Sequence, residues 1–232
     1  LPNVQKTTSL LTLPRPCLVI GCPGEKNTDI LRPHPGFRVR VWELLDWSKQ
    51  QDWRNARDEF KLETATALTG KLGEFKCIVF DGCHKWFEVI LEAAKQEPFN
   101  QSERGKPDGR KYWANAYQDM KQWMDMGYYS NVPIVIWTVW ASVEKDDPTA
   151  AEGTEEAKRK SVWPDYMGKF QRSAVGETSI VYQYMKNERS YWQVRPDSVI
   201  KGIGLRCPPE VAATLPHSVE AKWPELEKLL TK

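Results

Sequence analysis

Along the chain, short apolar runs closed by glycine, proline or aspartate alternate with longer stretches whose apolar residues recur at helical spacing. Cys17-Leu18-Val19-Ile20, followed by Gly21-Cys22-Pro23-Gly24, predicts a buried strand and a turn. Phe37 to Trp42 reads F-R-V-R-V-W, the period-two alternation of a strand. Lys76 to Phe80 predicts another buried strand, ending at Asp81-Gly82, and Val132 to Val139 the strongest strand of the chain. Ser179 to Tyr184 and Tyr191 to Arg195 predict two more, joined as a hairpin through Lys186 to Arg189. Helical spacing covers Lys6 to Leu13, Asp46 to Leu72, His84 to Lys95, Lys111 to Met126 and Trp223 to Leu230, the last with Pro224 suited to a first turn. Such alternation predicts an α/β fold, a mostly parallel sheet flanked by helices, with the last two strands as an antiparallel edge. Residues 1–232 are predicted as a single domain. The polar stretches 97–110 and 144–160 are predicted as mobile loops, because neither carries enough apolar surface to order itself.

Composition narrows the classes. With 232 residues, 41% hydrophobic, 28% charged and a net charge of +2, the chain can bury a full core, and any nucleic acid must be met through local patches. No apolar run reaches the ~18–20 residues of a membrane span. Eleven tryptophans are far above ordinary usage and predict large aromatic anchors in the core. The five cysteines (Cys17, Cys22, Cys77, Cys83, Cys207) form no C-x-x-C pair and the histidines are scattered, so no zinc site is predicted. With no targeting peptide visible, those thiols read as reduced cysteines of a cytoplasmic protein.

Three short motifs carry chemistry. Lys6-Thr7-Thr8 opens a helix that leads into a strand, the order found after a phosphate-binding loop. There a lysine reaches the β and γ phosphates and a hydroxyl holds Mg²⁺. Gln5 stands where the second glycine of such a loop belongs, and the first would precede Leu1. Cys77-Ile78-Val79-Phe80-Asp81 has the Walker B form, in which a buried strand delivers a carboxylate to Mg²⁺. The competing reading is a helix cap. Thr138 ends the apolar run Val135-Ile136-Trp137, either as a γ-phosphate sensor or as an ordinary strand residue.

In this order, and with Trp163-Pro164-Asp165-Tyr166-Met167-Gly168-Lys169-Phe170 ahead of the late strand pair, these motifs resemble phage-encoded RecA-like P-loop ATPases. These are proteins described as AAA-domain ATP-binding proteins or single-strand-annealing recombinases. The resemblance spans essentially the whole chain. It implies a RecA-like P-loop NTPase fold whose first strand would lie upstream of Leu1, with ATP and Mg²⁺ as cofactors. Lys6, Thr7 and Thr8 would hold the nucleotide, Thr7 and Asp81 the metal, and Thr138 would report the γ-phosphate. Glu25 is the nearest acid to the position where the family has a water-activating carboxylate. The resemblance also implies a homo-oligomeric ring or filament that holds single-stranded DNA in its loops. Arg104, Lys106, Arg110, Lys111 and Tyr112 in the first loop, and Lys158, Arg159 and Lys160 in the second, combine cations with aromatics as such binding needs. The alternative for both is a solvated charged loop. Gln5, and Val139-Trp140 where the family often has a histidine, point to weakened hydrolysis. They keep open a catalytically inactive P-loop fold with a structural or interaction role in a phage particle or DNA-processing assembly. A small-molecule kinase is a third reading, with 144–160 as its lid.

Overall fold

The computed structural model describes residues 6–22, 25, 27–42, 52–145, 149, 151–154, 160–164, 182–195, 200–201 and 209–230. They fall into two compact units: residues 14–139, and residues 1–13 together with 140–232.

The first of these units is a four-stranded parallel sheet in the order β2-β1-β3-β4, built from β1 (Cys17–Gly21), β2 (Phe37–Val41), β3 (Cys77–Asp81) and β4 (Ile134–Trp137). Register pairs Cys17 with Phe37 on one side of β1 and with Cys77 on the other, and Cys77 with Ile134. β1 and β3 are buried at every position, which explains their unbroken apolar sequences: a parallel strand covered on both faces has no polar side. β2 is an edge strand, and only its central Val39 is buried, so its alternating sequence follows from having one wet face. The run predicted as the strongest strand is shorter than expected, Ile134 to Trp137, and lies half-buried at the opposite edge.

Helices α2 (Trp53–Leu68), α3 (Cys83–Gln96) and α4 (Gly109–Tyr128) supply the other layer. The tryptophan excess is spent here. Phe60 of α2 lies 4.2 Å from Trp86 of α3, and Trp123 of α4 meets Phe80 at 5.0 Å and Trp137 at 6.4 Å. Phe60, Phe80, Trp86 and Trp123 are all fully buried, so one aromatic cluster binds three helices to two strands. Cys17 and Cys77, paired in register on adjacent strands, put their thiols in hydrogen-bond contact inside this core.

The segment 97–110 carries a set of polar bonds. A 3-10 turn (Pro98–Asn100) places the buried Asn100 to donate from Nδ2 to the Ala94 carbonyl at 2.7 Å. The Asp108 N–H returns to the Asn100 carbonyl at 2.7 Å, and a Gln101–Pro107 bridge closes a short hairpin between them. Its side chains and backbone thus satisfy carbonyls at the end of α3 that the helix itself leaves unpaired.

The second unit holds α1 (Lys6–Ser9), a 3-10 turn (Leu10–Thr12), a three-stranded antiparallel sheet and a second three-stranded sheet. The antiparallel sheet runs β10-β8-β7, from β7 (Tyr182–Lys186), β8 (Arg189–Gln193) and β10 (Ser218–Glu220). The predicted hairpin is present, closed by Asn187 and Glu188, both at positive φ as a two-residue turn requires. It is not an edge of the parallel sheet, as expected, but belongs to a sheet of its own. The other sheet pairs β5 (Ala141–Lys145) antiparallel with β6 (Lys160–Pro164), and β6 with β9 (Ile200–Lys201). β5 and β6 take up residues 144–145 and 160 at the two ends of the segment 144–160; residues 146–148, 150 and 155–159 of it lie outside the described residues. Helices α5 (Pro209–Thr214) and α6 (Trp223–Leu230) complete the unit.

Candidate functional site at the carboxyl edge of the parallel sheet

From β1 the chain steps to β2 on one side, and β3 then joins β1 on the other. The carboxyl ends of β1 and β3 flank this reversal of strand order, the position at which open α/β sheets commonly bind ligands. The residues that end those strands are Gly21-Cys22 and Asp81-Gly82.

Asp81 is fully buried at the tip of β3 and has a threonine hydroxyl on each carboxylate oxygen. Thr138, just beyond the end of β4, donates to Oδ1 in a short bond, and Thr28 donates to Oδ2 at 3.0 Å. Thr138 is itself fixed on three sides. Its N–H donates to the Phe80 carbonyl at 2.9 Å, its carbonyl accepts from the Cys83 N–H at 2.9 Å, and its hydroxyl accepts from the Gly82 N–H at 3.0 Å. The neighbouring Cys22 N–H donates to the Asp81 carbonyl at 2.8 Å. A buried carboxylate without such donors would be strongly destabilising, so the hydroxyls explain why an aspartate is tolerated here.

Two glycines make the approach possible. Gly21 leaves room for Thr28, because a Cβ there would lie 3.0 Å from Thr28 Oγ1. Gly82 adopts φ +84°, and a Cβ on it would come within 2.9 Å of the Glu25 Cβ and 3.2 Å of Oε2. Glu25 therefore packs on the turn that follows Asp81. The Asn27 N–H bonds its Oε1 at 3.2 Å, and its own N–H donates to the Cys22 carbonyl at 2.9 Å. The structure places Thr138 on the Asp81 carboxylate and Glu25 on the turn that follows it. Thr28 was missed. Its only signal is a threonine in a 3-10 turn (Asn27–Leu31) after a glycine-bearing turn, and nothing in that local pattern points to a partner 53 positions away.

The phosphate-side residues belong to the other unit. Lys6 opens α1, but its side chain lies outside the described residues. Thr7 is buried and Thr8 exposed. The helix is four residues long and continues as a 3-10 turn. It is anchored by Ser9 Oγ donating to Gln183 Oε1 at 3.1 Å and by the Trp223 N–H donating to Thr12 Oγ1 at 2.7 Å.

The expected DNA-binding residues are placed away from the carboxyl edge. Helix α3 starts at that edge, and its 14 residues carry the chain about 21 Å back to the amino side. Helix α4 then rises again: Tyr117 stacks on Phe87 in the middle of α3, whereas Trp123 reaches the carboxyl ends of β3 and β4. Arg104 and Lys106 on the short hairpin, and Arg110 and Lys111 in the first turn of α4, are exposed on the amino side. Tyr112 is half-buried, with Lys95 Nζ 5.7 Å from its ring centroid. Lys158 and Arg159 lie outside the described residues; Lys160 begins β6, and its side chain is likewise outside them.

Asp81, Glu25, Thr28 and Thr138 gather oxygen atoms, the donor type that Mg²⁺ takes, but Asp81 and Thr28 are fully buried and bonded to each other. They do not form an all-protein metal cage: among the described residues no group of three or more His, Cys, Asp or Glu side chains could hold a metal ion. Nor is any described helix long and apolar enough to cross a membrane. No protein-family model matches the sequence, and no curated protein and no solved structure matches it.

Proposed function

We propose that the chain is a RecA-like P-loop module that binds ATP with Mg²⁺ at the carboxyl edge of its parallel sheet and acts on single-stranded DNA in recombination or replication. The reading rests on one observation above the others: a fully buried Asp81 at the tip of a central parallel strand, hydrogen-bonded to Thr138 at the end of the adjacent strand. Under it, Asp81 holds the hydrated metal, Thr138 couples that carboxylate to the γ-phosphate, and Lys6 and Thr7 contact the phosphates and the metal, with Thr8 beside them. Glu25, packed on the Gly82 turn that follows Asp81, is the candidate to orient a water. The metal, when bound, would neutralise phosphate charge. The chain's own residues orient and shield the carboxylate. Arg104, Lys106, Arg110 and Lys111 would track a DNA backbone while Tyr112 offers a stacking face. A homo-oligomer is part of the same reading.

A second reading has its own support. Thr7 is buried, and its short helix is tied to the β7–β8 hairpin and to α6. That favours an inactive P-loop-derived protein with a structural or interaction role. Equilibrium titration of a fluorescent ATP analogue, with and without Mg²⁺, decides between them. The first reading expects Mg²⁺-dependent binding that D81N weakens at least tenfold; absence of binding at millimolar nucleotide leaves the second.

A further inference from the structure

We infer that the cleft between Phe99 and helix α4 takes one unstacked base of a single-stranded DNA, with Phe99 as the stacking face and Gln118 and Gln122 meeting the base edge. The inference rests on the DNA-binding part of the proposed function and deepens it. Phe99 is 63% exposed, although the buried Asn100 beside it pins their turn to the Ala94 carbonyl at 2.7 Å. A large aromatic ring is thus held out in water by a fixed backbone. It lines an open cleft of about 310 Å³ together with Gln118 and Gln122. The two glutamines stand one turn apart on α4, so they share a face of the helix. Both are exposed, and neither amide has a partner among the described residues. The charged side chains of the cleft are already paired with one another: Arg57 with Glu97 at 2.9 Å and with Asp119 at 3.4 Å, and Lys61 with Asp119 at 2.8 Å. The lining therefore has no spare charge for a phosphate, and what it offers is an aromatic face and two amides. Those groups suit an unstacked base, whose face takes a ring and whose edge takes an amide, donor and acceptor at once. Cations for the phosphates stand beside the cleft. The hairpin carrying Arg104 and Lys106 springs from the Phe99 turn, where the Asp108 N–H donates to the Asn100 carbonyl at 2.7 Å. Arg110 lies about 12 Å before Gln118 along α4. Arg104, Lys106 and Arg110 are exposed and paired with no carboxylate among the described residues, Glu103 of the same hairpin included. A charge-neutral cleft next to unpaired cations matches the neutral base and charged backbone of a nucleotide.

The test follows the fluorescence anisotropy of a labelled single-stranded oligodeoxynucleotide titrated with the full chain, and of the same strand built from abasic sites, which keeps the phosphates and removes the bases. F99A removes the ring, F99W keeps a stacking face, and F99L stands in if F99A does not fold; thermal melts of each report folding. The inference expects F99A to weaken binding of the intact strand about 5–150-fold, F99W to restore it, and the abasic strand to bind F99A as it binds the wild type. The double variant Q118A/Q122A should narrow the spread of affinities among adenine, cytosine and thymine homopolymers. A lowered melting temperature with unchanged binding of the intact strand assigns Phe99 a packing role and overturns the inference. Equal loss on the intact and abasic strands also overturns it, because the ring then acts through the backbone. An unchanged spread in Q118A/Q122A overturns the part given to the glutamines. A free nucleoside that binds as tightly as the strand, and is lost in F99A, overturns the DNA assignment and gives the cleft to small molecules. If the wild-type chain binds neither strand at low salt, it is the DNA reading itself that fails, and this inference falls with it.

Discussion

Replacing Gly82 by alanine tests whether Glu25 and the Asp81 turn form one packed unit. The cost has two sources. Gly82 has φ +84°, where an L side chain costs roughly 1–2 kcal/mol. The added Cβ then meets the Glu25 Cβ at 2.9 Å, an atom held by its own backbone rather than the far end of a flexible chain. Overpacking of this kind costs about 1–3 kcal/mol. Alanine stiffens the unfolded chain and returns about 0.4–1 kcal/mol. The net expectation is destabilisation of about 2–4 kcal/mol. G105A is the control, because Gly105 also has positive φ, +69°, but nothing within 4 Å of its Cβ position. It carries the backbone term alone, about 1 kcal/mol. Urea unfolding followed by the fluorescence of the buried Trp86 and Trp123 reads the unit that holds both glycines. A G82A cost no larger than that of G105A would refute the packing of Glu25 on the turn, and with it the placing of that acid beside Asp81.

Four further outcomes are expected. T138V removes the bonds to Asp81 and to the Gly82 N–H together and should cost about 2–4 kcal/mol in urea melts, since each leaves a buried polar group unpaired. F60A should cost about 3–5 kcal/mol by emptying the centre of the aromatic cluster, with Trp86 fluorescence shifting towards that of exposed indole. The hydrogen bond to Cys17, followed by burial, pushes the Cys77 thiol above its ordinary range. The folded state therefore keeps the thiol protonated while the unfolded state ionises. Stability from this group is fully present below about pH 8.5 and falls by about 1.4 kcal/mol per pH unit above it; C77V should flatten that slope between about pH 8.5 and 10 in urea melts. Neutralising Arg104, Lys106, Arg110 and Lys111 together should weaken single-stranded DNA binding and lower its log-log salt slope by up to about 3, at about 0.7 for each DNA phosphate no longer paired with a cation. An unchanged slope removes that face from the DNA reading.

The parallel sheet was legible because its code is local. An unbroken apolar run such as Cys77 to Phe80, closed by Asp81-Gly82, fits a strand covered on both faces, and the alternation of Phe37 to Val41 fits a strand with one wet face. The two small sheets of the other unit were poorly legible for the opposite reason. β9 has two residues and β10 three, too short for any period to show, and β5 and β6 meet across a charged segment whose composition argues for a loop. The β7–β8 hairpin was readable from its turn, but which sheet it joins depends on the pairing of Val219 with Trp192, a contact that no local pattern encodes.

The same division runs through the candidate site. Asp81 and Thr138 each stand at the end of an apolar run, so the sequence marks them, and adjacency of β3 and β4 brings them together. Glu25 was visible only as the nearest acid to β1; what gives it a place is the absence of a side chain at Gly82, a reason that resides in another segment. Thr28 had no mark at all, because its partner is reached by a chain reversal and a glycine, not by spacing. Residues that meet through sheet order can be read from strand ends. Residues that meet because something else is missing become visible only when the missing Cβ is placed in space. For that reason the glycines at 21 and 82 are the positions where substitution reports most directly on the site. Each leaves the polar groups intact and disturbs only the distance between them. A variant such as G21A, pressing on Thr28 with every hydroxyl and carboxylate still present, should therefore lower stability by about 1–3 kcal/mol in urea melts. If G21A is as stable as the parent chain, the close approach of Thr28 to β1 does not depend on the missing side chain.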